Sequence, residues 1–341
     1  MALLFFEGFD KYATATQMLQ QANYASTTTP TIVTTTPRTG RTSLEFWNSQ
    51  NVRFNVVPTG NTLIVGAGVF FVAAPNGNQL PIQLWASNQA RVNLTLGTNG
   101  SGQLQLRRDT ATVLWTGTDV EPAGTWLHYE LKAVLDHTAN GAITLRRNGQ
   151  IVAALTGVQT KLASADVVDA VRAIENGGSG LRFRLDDLYI CDGSGTANND
   201  FLGQRRVRTL LPNADLQAEW TATPAGSNAA RVADAAADDD TSYVSATAAG
   251  PVDRYGLEDL PASVATVSGV RLSYRVRKQD AVPAETRCFL QSGATVAPGP
   301  DDAPDVTYRY FSALFPTDPA TGAAWTPSAV NALSAGIERI L

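Results

Sequence analysis

The residues that decide the fold are Trp126-Leu127-His128-Tyr129-Glu130-Leu131-Lys132, followed by Gly141-Ala142-Ile143-Thr144-Leu145-Arg146-Arg147-Asn148-Gly149-Gln150-Ile151. From Leu127 to Lys132 the apolar residues occupy odd positions and the polar ones even positions, the period of a strand with one buried face. Ile143 and Leu145 lead into Asn148-Gly149, and Ile151, Ala153 and Leu155 lead away from it. Asn-Gly between two alternating runs predicts a two-residue hairpin, because a type I′ turn needs positive φ at both central residues.

Outward from this hairpin the same period recurs. Val92, Leu94 and Leu96 alternate with Arg91, Asn93 and Thr95, and Leu104 and Leu106 alternate with Gln103, Gln105 and Arg107. The continuous apolar run from Leu63 to Ala73 predicts a central strand with both faces covered. Turn signals such as Pro75-Asn76-Gly77-Asn78 and Glu121-Pro122-Ala123-Gly124 separate the runs, and no helical pattern intervenes, so a sandwich is expected rather than a parallel sheet. The apolar opening up to Phe6 is expected to be a first strand, residues 11–22 a short helix, and Thr27 to Thr36 an extended loop or edge strand.

Asp192-Gly193-Ser194-Gly195-Thr196-Ala197-Asn198-Asn199-Asp200 has linker composition, which sets a domain boundary near it. The expected domains are 1–195, a jelly roll, and 196–341, a smaller β-rich domain. Strands are predicted at Val270–Arg277 and Thr307–Phe311. Thr326-Pro327 supplies an N-cap with proline at the first helical position, and Val330, Leu333, Ile337 and Ile340 follow at helical spacing. That pattern predicts a short amphipathic C-terminal helix.

With 44% hydrophobic and 17% charged residues, the 341-residue chain can bury a real core. Its net charge of −5 argues against nucleic-acid binding, which needs a basic face. Cys191 and Cys288 read as two buried thiols. No stretch reaches membrane-spanning length, and no cleavable leader is evident, so the chain is expected to be made in a cytoplasm without secretion or membrane insertion.

Signatures of catalysis are missing. The only histidines, His128 and His137, lack the context of a nucleophile–base arrangement. Asp186 and Asp187 are adjacent, so on a regular strand they point to opposite faces, which is not the alternate spacing of a glucanase. A bulge is the other geometry open to them, and a turn- or edge-capping role suits them. Asp238-Asp239-Asp240 and the Asp186-Asp187 pair offer the oxygen ligands that calcium takes, but neither has a recognised loop spacing, and solvated acids are the simpler reading. No catalytic, cofactor or metal residue is assigned. Trp85 and Trp115, each beside a leucine on a predicted strand, are the candidates for a carbohydrate platform.

The hairpin residues, the opening Phe6-Glu7-Gly8-Phe9-Asp10 and the segment Phe183-Arg184-Leu185-Asp186-Asp187-Leu188-Tyr189-Ile190 resemble concanavalin A-like, laminin-G-type jelly rolls over residues 1–192. Ile190-Cys191-Asp192-Gly193-Ser194-Gly195, Asn198-Asn199-Asp200-Phe201-Leu202-Gly203 and Val207-Arg208 resemble the junction of tailed-phage structural proteins. Trp220, the 238–244 run and the region of Ala324-Trp325-Thr326 extend that likeness to almost the whole chain. The resemblance implies an all-β, non-enzymatic virion protein, synthesised in the host cytoplasm, of the tail or adsorption apparatus. Its implied partners are other virion proteins, copies of itself and a host cell-surface glycan. The C-terminal helix and the strand at 270–277 are the contact surfaces expected. The alternatives are a lectin-like receptor-recognition module and a capsid-associated decoration protein.

Overall fold

The computed structural model describes residues 2–176, 178 and 180–341. The fold is all-β, and every pair of named strands is antiparallel. Two compact units divide the chain: unit 1 holds the chain up to Phe9, Thr14–Leu19 and Asn23–Val207, and unit 2 holds Asp10–Ala13, Gln20–Ala22 and Arg208–Leu341.

Unit 1 carries β1 (Leu3–Glu7), helix α1 (Ala15–Leu19), β2 (Tyr24–Ala25), β3 (Thr31–Val33), β4 (Ser43–Trp47), β5 (Asn51–Asn55), β6 (Thr62–Phe71) and β7 (Gln79–Ala86). It continues with β8 (Arg91–Thr98), β9 (Gln103–Arg108), β10 (Thr112–Val120), β11 (Trp126–Val134), β12 (Gly141–Arg147), β13 (Gln150–Val158), β14 (Val168–Glu175) and β15 (Arg182–Asp192). The first sheet runs β13-β12-β11-β6-β15-β4-β3, with β1 also on β15, and the second runs β10-β9-β8-β7-β14-β5-β2. Alternating residues fill the space between them: Val65, Val69, Leu131 and Phe183 from one sheet, Phe54, Leu84, Leu94 and Leu106 from the other, all fully buried. Phe5 of the first sheet meets Phe54 of the second at 5.6 Å between ring centres.

The Asn148-Gly149 hairpin joins β12 to β13, with φ of 51° and 83° at its two tip residues, as a type I′ turn requires. The apolar run at 63–73 becomes β6, paired on both sides by β11 and β15. Gly66 in β6 is a close-approach glycine: a Cβ there would lie 2.0 Å from the Tyr189 ring, which rests on the strand.

Unit 2 contains β16 (Pro212–Ala218), β17 (Thr221–Thr223), helix α2 (Asn228–Val232), β18 (Tyr243–Ser245), β19 (Val252–Leu257), β20 (Val270–Val276), β21 (Thr286–Ser292), β22 (Thr295–Asp302), β23 (Arg309–Phe315), helix α3 (Pro327–Asn331) and β24 (Ser334–Arg339). Its main sheet is β16-β19-β24-β21-β22, beside the ribbons β17-β18 and β20-β23. Leu290, Trp325, Val330, Leu333 and Ala335 form its core.

The expected C-terminal amphipathic helix is corrected. Its start is as read, with the Thr326 hydroxyl accepting the Ala329 N–H at 3.1 Å, but the helix stops at Asn331. Ser334–Arg339 becomes a strand paired with both β19 and β21. Gly336 explains the switch. Glycine is costly inside a helix, and here its Cβ would fall 2.2 Å from the Phe289 ring and 2.5 Å from the Asp253 carbonyl, so the centre of the sheet needs a residue without one. Ile337 and Ile340, spaced to suit a helix, are β-branched and suit a strand equally well.

Candidate functional site

β5, β14, β7, β8 and β9 are consecutive in the second sheet, and their registers align Arg53, Arg172, Gln83, Thr95 and Arg107 in one row across it. These side chains lie on the face turned away from the core, because Phe54, Val171, Leu84, Leu94 and Leu106 beside them occupy the buried side. At ~4.8 Å per strand the row is about 19 Å long. Trp85 stands two residues beyond Gln83 on the same face, with the guanidinium carbons of Arg53 and Arg172 5.3 and 5.1 Å from its ring centre. Ala25, Ser26, Thr27 and Asn51 complete, with these three, the lining of a cavity of about 180 Å³.

Arg53 and Arg172 sit directly opposite each other on neighbouring strands, where like charges repel. Burial, and then the charge of Arg53, hold the Arg172 guanidinium below its usual range. Arg107 at the far end of the row differs, since it donates to Gln105, Asn78 and the Thr98 carbonyl at 2.8–3.1 Å. Gln79, Gln83, Trp85, Asn93 and Arg108, all on β7 to β9, each keep a buried polar atom without a partner among the described residues. Unpartnered polar groups are rare in folded proteins, and the first sheet carries them too, at Ser43, His128, Glu130 and Arg146.

The outer face of the first sheet is roofed by the chain itself. Asp200 pairs with Lys132 at 3.0 Å, and the Phe201 ring lies 4.0 Å from the Arg146 guanidinium carbon. The Leu202 N–H donates to Tyr189 at 3.1 Å, the Gly203 N–H to Glu130 at 2.7 Å, and the Val207 N–H to Asp187 at 2.7 Å. Tyr189 donates in turn to Glu130. Residues 200–207 thus form a strap over Glu130, Tyr189 and Asp187. His128 is 1% exposed and neither ring nitrogen has a partner. Burial, and then the Arg38 charge, bring its pKa down to about 3.

Asp186 and Asp187 take the bulged geometry, with Asp187 at φ 49°. Asp186 accepts the backbone N–H of Arg38, Thr39 and Asp187 at 2.8–3.2 Å. Asp187 binds the Arg38 side chain and the Thr39 hydroxyl as well as Val207. Burial and the Asp187 charge outweigh the three N–H donors and push Asp186 up to about 8. The pair clamps the 36–39 loop and the strap to the sheet.

The structure does not bring the two candidate tryptophans together. Trp115 lies on the edge strand β10, opposite core-facing Leu106, while Thr116 beside it faces the row and hydrogen-bonds Gln105 at 3.0 Å. Trp85 is on the open face, but its ring carries two guanidinium groups and is not a bare platform. Arg53 and Arg172 were missed. Each is the polar position of an alternating strand, but nothing local shows that β5 pairs with β14. In unit 2, Asp239 pairs with Arg275, and Asp240 with Arg277 and Tyr308, so the acidic run binds the arginine-rich strand at 270–277.

No known protein family matches the chain, and no curated protein matches it in sequence. Solved structures do resemble it. They include an endo-β-1,4-glucuronan lyase from the fungus Trichoderma reesei, with 12% identity over 55% of this chain and 94% of that one at a TM-score of 0.41. An alginate lyase in complex with an alginate trisaccharide matches with 12% identity over 55% and 97% at 0.43. A carbohydrate esterase from Shiga toxin-encoding bacteriophage phi24B matches with 11% identity over 50% and 89% at 0.36. The expectation of a non-enzymatic chain is corrected on this finding, since structures of this likeness include lyases, an esterase and sialidases. It had rested on two missing signatures, a histidine-based arrangement and the glucanase spacing. Glycan chemistry is wider than both, and sialidases use a tyrosine nucleophile. Similarity of this degree assigns no particular activity or ligand: the neighbours are carbohydrate-active β-sandwich proteins, and one comes from a phage.

Proposed function

We propose that unit 1 recognises carbohydrate on the outer face of its second sheet. The Arg53–Arg172 pair beside Trp85 carries this reading: these three side chains are half-buried, whereas Gln83, Thr95 and Arg107 farther along the row are buried. Two guanidinium groups on a rigid sheet beside an aromatic ring supply the donors and the apolar surface that a sugar ring needs. The setting implied by residues 190–208 belongs to the same proposal: a tailed-phage particle on which the sandwich reads a host glycan.

A glycan array probed with the full chain, followed by titration of Trp85→Ala and Trp115→Ala, tests it. The expected result is glycan binding that Trp85→Ala weakens at least tenfold, about 1.4 kcal/mol, and that Trp115→Ala leaves within twofold. An array without binding, or equal loss in both variants, overturns the assignment of this face.

A further inference from the structure

We propose that Arg53 and Arg172 form a subsite for the carboxylate of an acidic saccharide, an inference that rests on the carbohydrate reading of the same face. Five arginines of unit 1 are paired with carboxylates: Arg38 with Asp187, Arg91 with Asp166, Arg147 with Glu121, and Arg182 and Arg184 with Glu45, while Arg107 and Arg108 donate to neutral groups. Arg53 and Arg172 are treated differently. They face each other across adjacent strands, and among the described residues neither guanidinium has an ion pair or a hydrogen bond. Two opposed, unneutralised cations are unfavourable in the free protein, and an anion placed between them removes that cost.

The stereochemistry specifies the anion further. Both guanidinium carbons lie over the Trp85 ring, at 5.3 and 5.1 Å from its centre, and among the described residues no acceptor takes their N–H groups. A carboxylate presents two in-plane oxygens, which match one N–H edge from each arginine. The adjoining cavity of about 180 Å³ is lined by Ser26, Thr27 and Asn51, which are hydrogen-bonded to one another: Ser26 donates to the Asn51 carbonyl and the Asn51 amide to Thr27. Along the row from the pair, Gln83 and Thr95 are neutral and buried, and Arg107 beyond them is buried and hydrogen-bonded to Gln105, Asn78 and Thr98. A local two-cation site on a chain of net charge −5 fits one acidic sugar in a glycan rather than a continuous polyphosphate backbone.

The test is calorimetric titration of the full chain with hexameric oligouronates (galacturonate and guluronate), their carboxyl-reduced neutral forms, and a sulfated glycan. Uronate binding is expected to fall about 100-fold on carboxyl reduction and by a similar factor in Arg172→Gln and Arg53→Gln. Arg172→Lys should not restore it, because an ammonium cannot supply the bidentate edge. Both glutamine variants should keep or raise the thermal midpoint of the ligand-free protein, which shows that lost binding is not lost folding. If carboxyl-reduced oligomers bind as well as the uronates, the carboxylate subsite is wrong and the carbohydrate reading stands. Preference for the sulfated glycan, or full uronate affinity in the glutamine variants, also overturns the subsite. If no saccharide binds, both proposals fall.

Discussion

The two outer faces of unit 1 start from the same strand chemistry and end differently. On the first sheet, His128, Glu130, Tyr189 and Asp186 occupy the polar positions; residues 200–207 bind Glu130 and Tyr189, and the backbone of Arg38 and Thr39 binds Asp186. On the second, Arg53, Arg172 and Gln83 occupy the equivalent positions; Gln83 is buried, and among the described residues neither guanidinium has an ion pair or a hydrogen bond. The difference shows in the ionisable groups. On the first face burial disfavours charge, so His128 and Asp186 are both shifted toward their neutral forms. On the second, two permanent cations remain opposed and half-buried. Polar alternation therefore means either a face closed by the chain's own backbone or a face kept for a ligand, and only the partners of its charges tell which.

The largest expected effect breaks this comparison through pH. Asp186 titrates near 8 in the folded chain and near 3.8 unfolded. A folded pKa raised above the unfolded one gives stability that is complete below about 3.8 and lost as pH rises to about 8. For His128 the folded pKa is depressed to about 3 from 6.5, so its contribution is complete above 6.5 and lost as pH falls toward 3. Between about 4 and 6.5 the two slopes oppose each other, and from 6.5 to 8 the Asp186 slope acts alone, at up to about 1.4 kcal/mol per pH unit. Urea denaturation of unit 1 across this range should show a plateau and then an alkaline decline. Asp186→Asn should abolish the decline, and Arg53→Gln should leave it in place. A decline that persists in Asp186→Asn would assign it to another group.

Glu130→Ala has an effect of similar size. Glu130 is fully buried and accepts from both Tyr189 and Gly203. Its removal orphans two donors beneath the strap, at a cost of about 3 kcal/mol. Saccharide binding on the opposite sheet should not change. A parallel loss of binding would mean that the two faces are coupled through the core, and the separation drawn above would fail.

Much of this architecture is legible in the chain. Period-two alternation and the Asn148-Gly149 tip identify β11 to β13, because strand period and turn chemistry are local properties. The strap is not legible: Asp200, Phe201 and Gly203 look like linker, and their partners Lys132, Arg146 and Glu130 lie far back in sequence. The arginine pair is hidden for the same reason, since cross-strand neighbours follow from register and not from spacing. β24 fails differently. Helical spacing and strand preference coincide at Ile337 and Ile340, and only the crowding around Gly336 resolves them.

The smallest effect sharpens the comparison by asking whether the strap is a fixed part of the first sheet. Phe201 is held by the Arg146 guanidinium at 4.0 Å and by the Lys132 ammonium at 5.9 Å from the ring centre. Such contacts near the surface are worth about 0.5–1 kcal/mol. Phe201→Ala should therefore lower the stability of unit 1 by about 1 kcal/mol or less. Hydrogen exchange is the more informative measurement. The Leu202, Gly203 and Val207 amides donate to Tyr189, Glu130 and Asp187, so strap opening exposes all three. If the strap is a local unit, their exchange should quicken severalfold in Phe201→Ala while β6 amides stay unchanged. Acceleration in β6 to the same degree would show that the strap opens only when the sheet does, and that it belongs to the core of the first sheet rather than lying over it.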